Sequence, residues 1–106
     1  MAKYLLEVNY TLDEVREVRS AGGSARLAAA TELVEGLGGT IESFYFAFGD
    51  TDVHIIADLP DNAAAAAASL AVSAGGGSNA RIVVLLTPAE LDAAADRQTT
   101  YRPPND

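Results

Sequence analysis

The 106-residue sequence contains no cysteine, which removes disulfides, thiolate nucleophiles and thiolate-built zinc sites from the inventory. Histidine is nearly absent as well: His54 is the only one, so a metal held through it would need carboxylates as companions. Cations are scarce, with seven Lys and Arg against fifteen Asp and Glu and a net charge of −8. That balance opposes a phosphate backbone, and nucleic acid is not an expected partner. Long apolar runs are also missing. The stretch that follows Met1-Ala2-Lys3 is broken by Glu7 and is too short for a signal segment or a membrane span, so a cytoplasmic location without membrane association is expected. There is no glycine-rich dinucleotide loop, nucleophile elbow or pair of catalytic carboxylates, which argues against the commoner enzyme classes.

What is present is alanine. The apolar fraction is 49%, but 21 of the residues are alanine, so the larger core side chains come from a short list and elements must pack closely or borrow a partner's surface. A chain this long forms one domain, hiding roughly two-thirds of the surface of its unfolded form.

Residues 4–10 put Tyr4, Leu6, Val8 and Tyr10 on one face and Leu5, Glu7 and Asn9 on the other, which predicts a first strand. Thr11 and Glu14 form a capping box that starts a helix. This helix should falter at Ala21-Gly22-Gly23, with Ser24 capping a second segment whose stripe is Leu27, Ala30, Val34 and Leu37. Gly38-Gly39 ends it. From residue 40 to 48 the period becomes two, with Glu42, Phe44, Phe46 and Phe48 opposite Ile41, Ser43, Tyr45 and Ala47. Gly49-Asp50 then turns into a third strand over 52–59, giving a hairpin. Pro60-Asp61 opens a helix through six consecutive alanines, 63–68, which let a backbone approach a sheet closely. After Gly75-Gly76-Gly77, residues 81–86 are apolar on both faces and predict a well-buried fourth strand. Thr87-Pro88-Ala89-Glu90 is a capping box for a last short helix.

The order β-α-β-β-α-β is that of a ferredoxin-like α+β fold with a four-stranded antiparallel sheet, over residues 1–98, followed by a tail, 99–106. Two helices cover one face of such a sheet. The apolar character of the fourth strand favours burial of the other face by a second copy, and the tail is expected to dock on the domain or on that partner.

The sequence also resembles the small bacterial GYD-domain proteins over nearly its whole length. The likeness is carried by Lys3-Tyr4-Leu5-Leu6, Gly22-Gly23-Ser24-Ala25-Arg26, Gly38-Gly39, Phe44-Tyr45-Phe46-Ala47-Phe48-Gly49, Asp58-Leu59-Pro60-Asp61 and Tyr101-Arg102-Pro103-Pro104. Gly49 and Asp52 stand where the signature has its glycine and aspartate, while Thr51 takes the place of its tyrosine. The resemblance implies a homodimeric α+β barrel, in which two sheets enclose a shared interior. Related folds include cofactor-independent monooxygenases, haem-degrading enzymes, lactone isomerases and amino-acid-sensing domains, so the fold does not choose a function.

Candidate site residues follow from strand parity. If the hairpin loop has two or four residues, Ser43, Tyr45 and Ala47 share a face with His54, Ile56 and Asp58, while Phe44, Phe46 and Phe48 join Val53, Ile55 and Ala57 under the helices. A three-residue loop reverses this and makes His54 a core residue. With strand order 4-1-3-2, Glu7 and Asn9 join the polar face. Glu7 and His54 are then candidate catalytic groups, and Asn9, Tyr45 and His54 candidate ligand-binding groups. The plainer reading of His54 is a strand histidine satisfied by a neighbour or by water. A second candidate is the run Gly22 to Arg26, whose free N–H groups and guanidinium can hold an anion, against the plainer reading of a capped helix break. No metal or cofactor is expected. Haem is not expected, because Arg26, Arg81, Arg97 and Arg102 are scattered and offer no obvious propionate cluster. Two functions stay open: a dimeric barrel that binds a small, partly apolar molecule or serves in assembly, and a cofactor-independent oxygenase or isomerase acting in the barrel cavity.

Overall fold

Nine residues at the N-terminus, Ala2–Tyr10, form β1, and its burial alternates strictly: Tyr4, Leu6 and Val8 are buried, and the residues between them are half-exposed. The computed structural model describes residues 1–76 and 78–104. Helix α1 (Leu12–Ala21) starts where the Thr11 hydroxyl accepts from the Glu14 N–H, and stops where the Gly22 N–H donates to Val18 O at 2.8 Å. Gly22 has φ +89°, a left-handed conformation that a glycine adopts without penalty.

Helix α2 (Gly23–Gly36) follows at once. Gly22 is its N-cap and makes no side-chain hydrogen bond, so the expected Ser24 cap is not formed. The backbone reversal at Gly22 starts the helix two residues early and leaves Ser24 inside the first turn. Leu27, at the N-terminal end of the predicted stripe, is exposed, whereas Val34 is buried. At the C-terminal end Gly38 N–H donates to Glu35 O and Gly39 N–H to Val34 O. Gly39 lies so close to β3 (Val53–Leu59) that a Cβ there would sit 2.2 Å from Asp58 O.

Strand β2 (Thr40–Phe46) pairs with β3 through a bulge between Ile41 and Ser43. The extra residue is Glu42, so Ile41 joins Phe44 on the helix side while Glu42 reaches Lys3 on the open side, at 3.4 Å. This corrects the simple alternation, which put Glu42 with the phenylalanines. Phe48 is also corrected: it is fully exposed, because regular pairing ends at Phe46 and Val53 and the connection bends out of the sheet.

Helix α3 (Asn62–Ala74) is capped by Asp61, whose carboxylate accepts from Ala64 N–H at 2.9 Å. Ala65 and Ala68 are buried against the sheet, and Ser69 Oγ donates to Ala80 O of β4 (Ser78–Leu85) at 3.0 Å. The alanines bring α3 close to the strands, as the tract predicts. The sheet order is β2-β3-β1-β4, all antiparallel, which is the ferredoxin-like arrangement.

Being last in that order makes β4 an edge strand. Val83 and Val84 are 40% and 57% exposed on opposite faces, so the fourth strand is not buried within one chain. Beyond it, α4 (Pro88–Ala95) has the complete Thr87–Glu90 capping box but buries no residue, and 96–104 are exposed too. The longest dimension is 58 Å and the radius of gyration 16.9 Å, against about 13 Å for a compact chain of this length. No helix among the described residues is long and apolar enough to cross a membrane.

Candidate functional site

The two faces of the sheet have different chemistry. On the open face, strand register sets four polar residues in a line across the sheet: Tyr45 of β2 opposite His54 of β3, His54 opposite Glu7 of β1, and Glu7 opposite Arg81 of β4. Cross-strand neighbours have Cα atoms about 4.5–5.5 Å apart, so each side chain can reach the next. The Tyr45–His54 pairing is the register of a two-residue loop, and His54 is half-exposed on the open side, away from the helices.

Within this row the contacts are selective. The Glu7 carboxylate lies 3.5 Å from the Thr51 hydroxyl and 4.0 Å from the Arg81 guanidinium, and Arg81 Nη2 donates to Thr51 Oγ1 at 3.4 Å. Thr51 is only 6% exposed. Among the described residues, neither the His54 ring nor the Tyr45 hydroxyl has a hydrogen-bond partner. Asn9 sits one step farther along, and its Oδ1 accepts from Asp52 N–H at 3.2 Å, while Asp52 Oδ2 accepts from Tyr10 N–H at 2.9 Å. Asn9 thus fastens the start of β3. Arg81 and Thr51 are not among the candidate site residues read from the sequence, although Thr51 stands at the tyrosine position of the signature. The register of β4 against β1 is what brings Arg81 to Glu7, and no local pattern announces it. No cluster of three or more metal-ligating side chains exists among the described residues.

The covered face holds a cleft of about 280 Å³. Its floor is Leu6, Val8, Val53 and Ile55 of the sheet, and its walls are Ala30 and Leu33 of α2 and Val72 of α3. The two helices rest on the strands rather than on each other, and the alanines of α2 leave the space between them unfilled. This volume is just below the usual range for pockets of small-molecule sites, and the lining has their mostly apolar character.

Polar groups gather at one end of the cleft, where Tyr10, Glu14, Arg26 and Ser78 line it. Glu14 of α1 and Arg26 of α2 form an ion pair with both side chains largely buried, and the Arg26 guanidinium lies over the Tyr10 ring at 5.9 Å from its centroid. Burial pushes the Tyr10 phenol above its ordinary range by more than Arg26 draws it down, and Asp52 adds to the rise. The Gly22 to Arg26 run is therefore not an open anion cradle: its one guanidinium is already held by Glu14.

A family model described as the GYD domain matches residues 4–95. No curated protein and no solved structure matches the chain.

Proposed function

The chain belongs to the GYD-domain family, and from that footing we propose that it binds a small, largely apolar molecule in the cleft between the sheet and helices α2 and α3. The observation that carries this reading is the cleft itself: an apolar space of about 280 Å³ with charged and hydroxyl groups confined to one end. In the same reading a second copy covers the open face, where Leu5 lies between Ile56 and Val83 in one register row. Such an apolar band on an open sheet face is what a self-pairing surface requires.

Native mass spectrometry of protein purified from cells tests the binding. A retained small molecule is expected in the wild-type chain and absent from Ala29→Phe, which places a ring at the exposed rim of the cleft without entering the core. A wild-type chain that carries nothing and takes up no apolar probe overturns the reading.

A second reading rests on a different observation, the direct cross-strand pairing of Glu7 with His54. In it the row on the open face, enclosed by a second copy, serves an oxygenase or isomerase, with the carboxylate orienting the imidazole.

A further inference from the structure

We propose that the cleft is built for an uncharged molecule carrying one hydrogen-bond-accepting oxygen, such as a carbonyl, and that the Tyr10 hydroxyl is the donor that reads it. This rests on the reading of the cleft as a ligand site and adds to it the class of ligand.

Among the described residues, Arg26 is the only cation lining the cleft, and Glu14 is the only anion. They are paired with each other, with side chains 28% and 14% exposed. An anionic ligand would have to take Arg26 from Glu14 and leave a largely buried carboxylate uncompensated; a cationic one would do the reverse. Breaking a buried pair from either side is strongly unfavourable. The net charge of −8 adds a field that disfavours anions further. An uncharged ligand disturbs none of this.

Tyr10 is the group left over. It is half-buried at the polar end, its backbone N–H is bonded to Asp52, and its hydroxyl has no hydrogen-bond partner among the described residues. The hydroxyl is therefore a donor that a molecule at that end of the cleft can engage. Burial keeps it protonated well into the alkaline range, so it remains an O–H donor. A carbonyl oxygen at that end, with its apolar body toward Leu33 and Val72, satisfies it.

Three probes of matched shape separate the possibilities: 2-ethylnaphthalene, 2-acetylnaphthalene and 2-naphthoate, titrated against wild type, Tyr10→Phe and Ala29→Phe. Tyr10→Phe retains the ring under Arg26 and every backbone hydrogen bond. The ratio of acetyl to ethyl affinity is expected to fall roughly three- to tenfold in Tyr10→Phe, the worth of one net hydrogen bond, and 2-naphthoate is expected to bind weakest to wild type. An unchanged ratio in Tyr10→Phe, or a preference for 2-naphthoate, overturns the proposal, while loss of the neutral probes in Ala29→Phe would still support the cleft. If none of the three binds the wild type, the cleft reading falls and the proposal falls with it.

Discussion

Glu7 and His54 face one another as direct partners across β1 and β3, yet the Glu7 carboxylate makes its contacts to the other side, with Thr51 at 3.5 Å and Arg81 at 4.0 Å. An imidazole that is unclaimed by its neighbouring carboxylate is not set up as an oriented base in a single chain. The pairing of two sheets would change its surroundings, and the cleft on the opposite face would not feel it. His54→Ala and Glu7→Gln should therefore leave binding in the cleft within about twofold of wild type. Loss of the retained molecule in both variants, with the oligomer intact, would transfer the site to the open face.

The two faces of β4 give a prediction about association. Val83 projects from the open face and Ile82 packs partly against the core. Val83→Asp should leave a folded chain and shift sedimentation equilibrium toward the monomer. Ile82→Asp should lower stability itself, since an unpaired carboxylate would enter the apolar layer. Wild-type protein that is monomeric at micromolar concentration would refute the paired-sheet arrangement.

Two glycines at the end of α2 should respond oppositely to the same substitution. A Cβ at Gly39 would meet Asp58 O and Leu59, and Gly39→Ala should cost about 1–3 kcal/mol, as overpacking does. Gly36 is helical with nothing within 4 Å of an added Cβ, so Gly36→Ala should stabilise by about 0.4–1 kcal/mol through the unfolded chain. Urea midpoints measure both.

Acid should loosen α4 before it touches the core. Backbone and hydroxyl hydrogen bonds from Thr87 hold the Glu90 carboxyl below its ordinary value of 4.5. A depressed folded value means that the cap is fully present above the ordinary range and is lost as pH falls through the lowered one. Chemical shifts of residues 88–95 should move toward coil over that acid interval, and Glu90→Gln should remove the carboxylate's part of the dependence. Movement centred above the ordinary value would contradict the cap as its cause.

Much of this fold is legible because its signals are local. Thr11, Asp61 and Thr87 cap helices where hydroxyls and carboxylates precede them, and alternation in β1 and β3 sorts residues to the correct faces. Parity across the hairpin leaves His54 on either face until the loop length is known, and the observed register brings Tyr45, His54 and Glu7 into one row. The misreadings lie where local pattern is overruled. The bulge at Glu42 resets the alternation of β2, and Gly22 turns the chain before Ser24 can cap it. The cleft was illegible for another reason. It is a space between α2 and α3, and residues such as Ala30 and Val72 read as ordinary core until the separation of the helices is known.

The extended C-terminal arm has a hydrodynamic consequence. A particle of 58 × 32 × 22 Å experiences more friction than a sphere of equal mass, so a single 11.0 kDa chain will elute from a sizing column ahead of globular standards of its own weight. Apparent size alone would then mimic a dimer. Removing residues 88–106 should sharply reduce this discrepancy while leaving the four strands and the cleft in place, since the arm contributes no buried residue among those described.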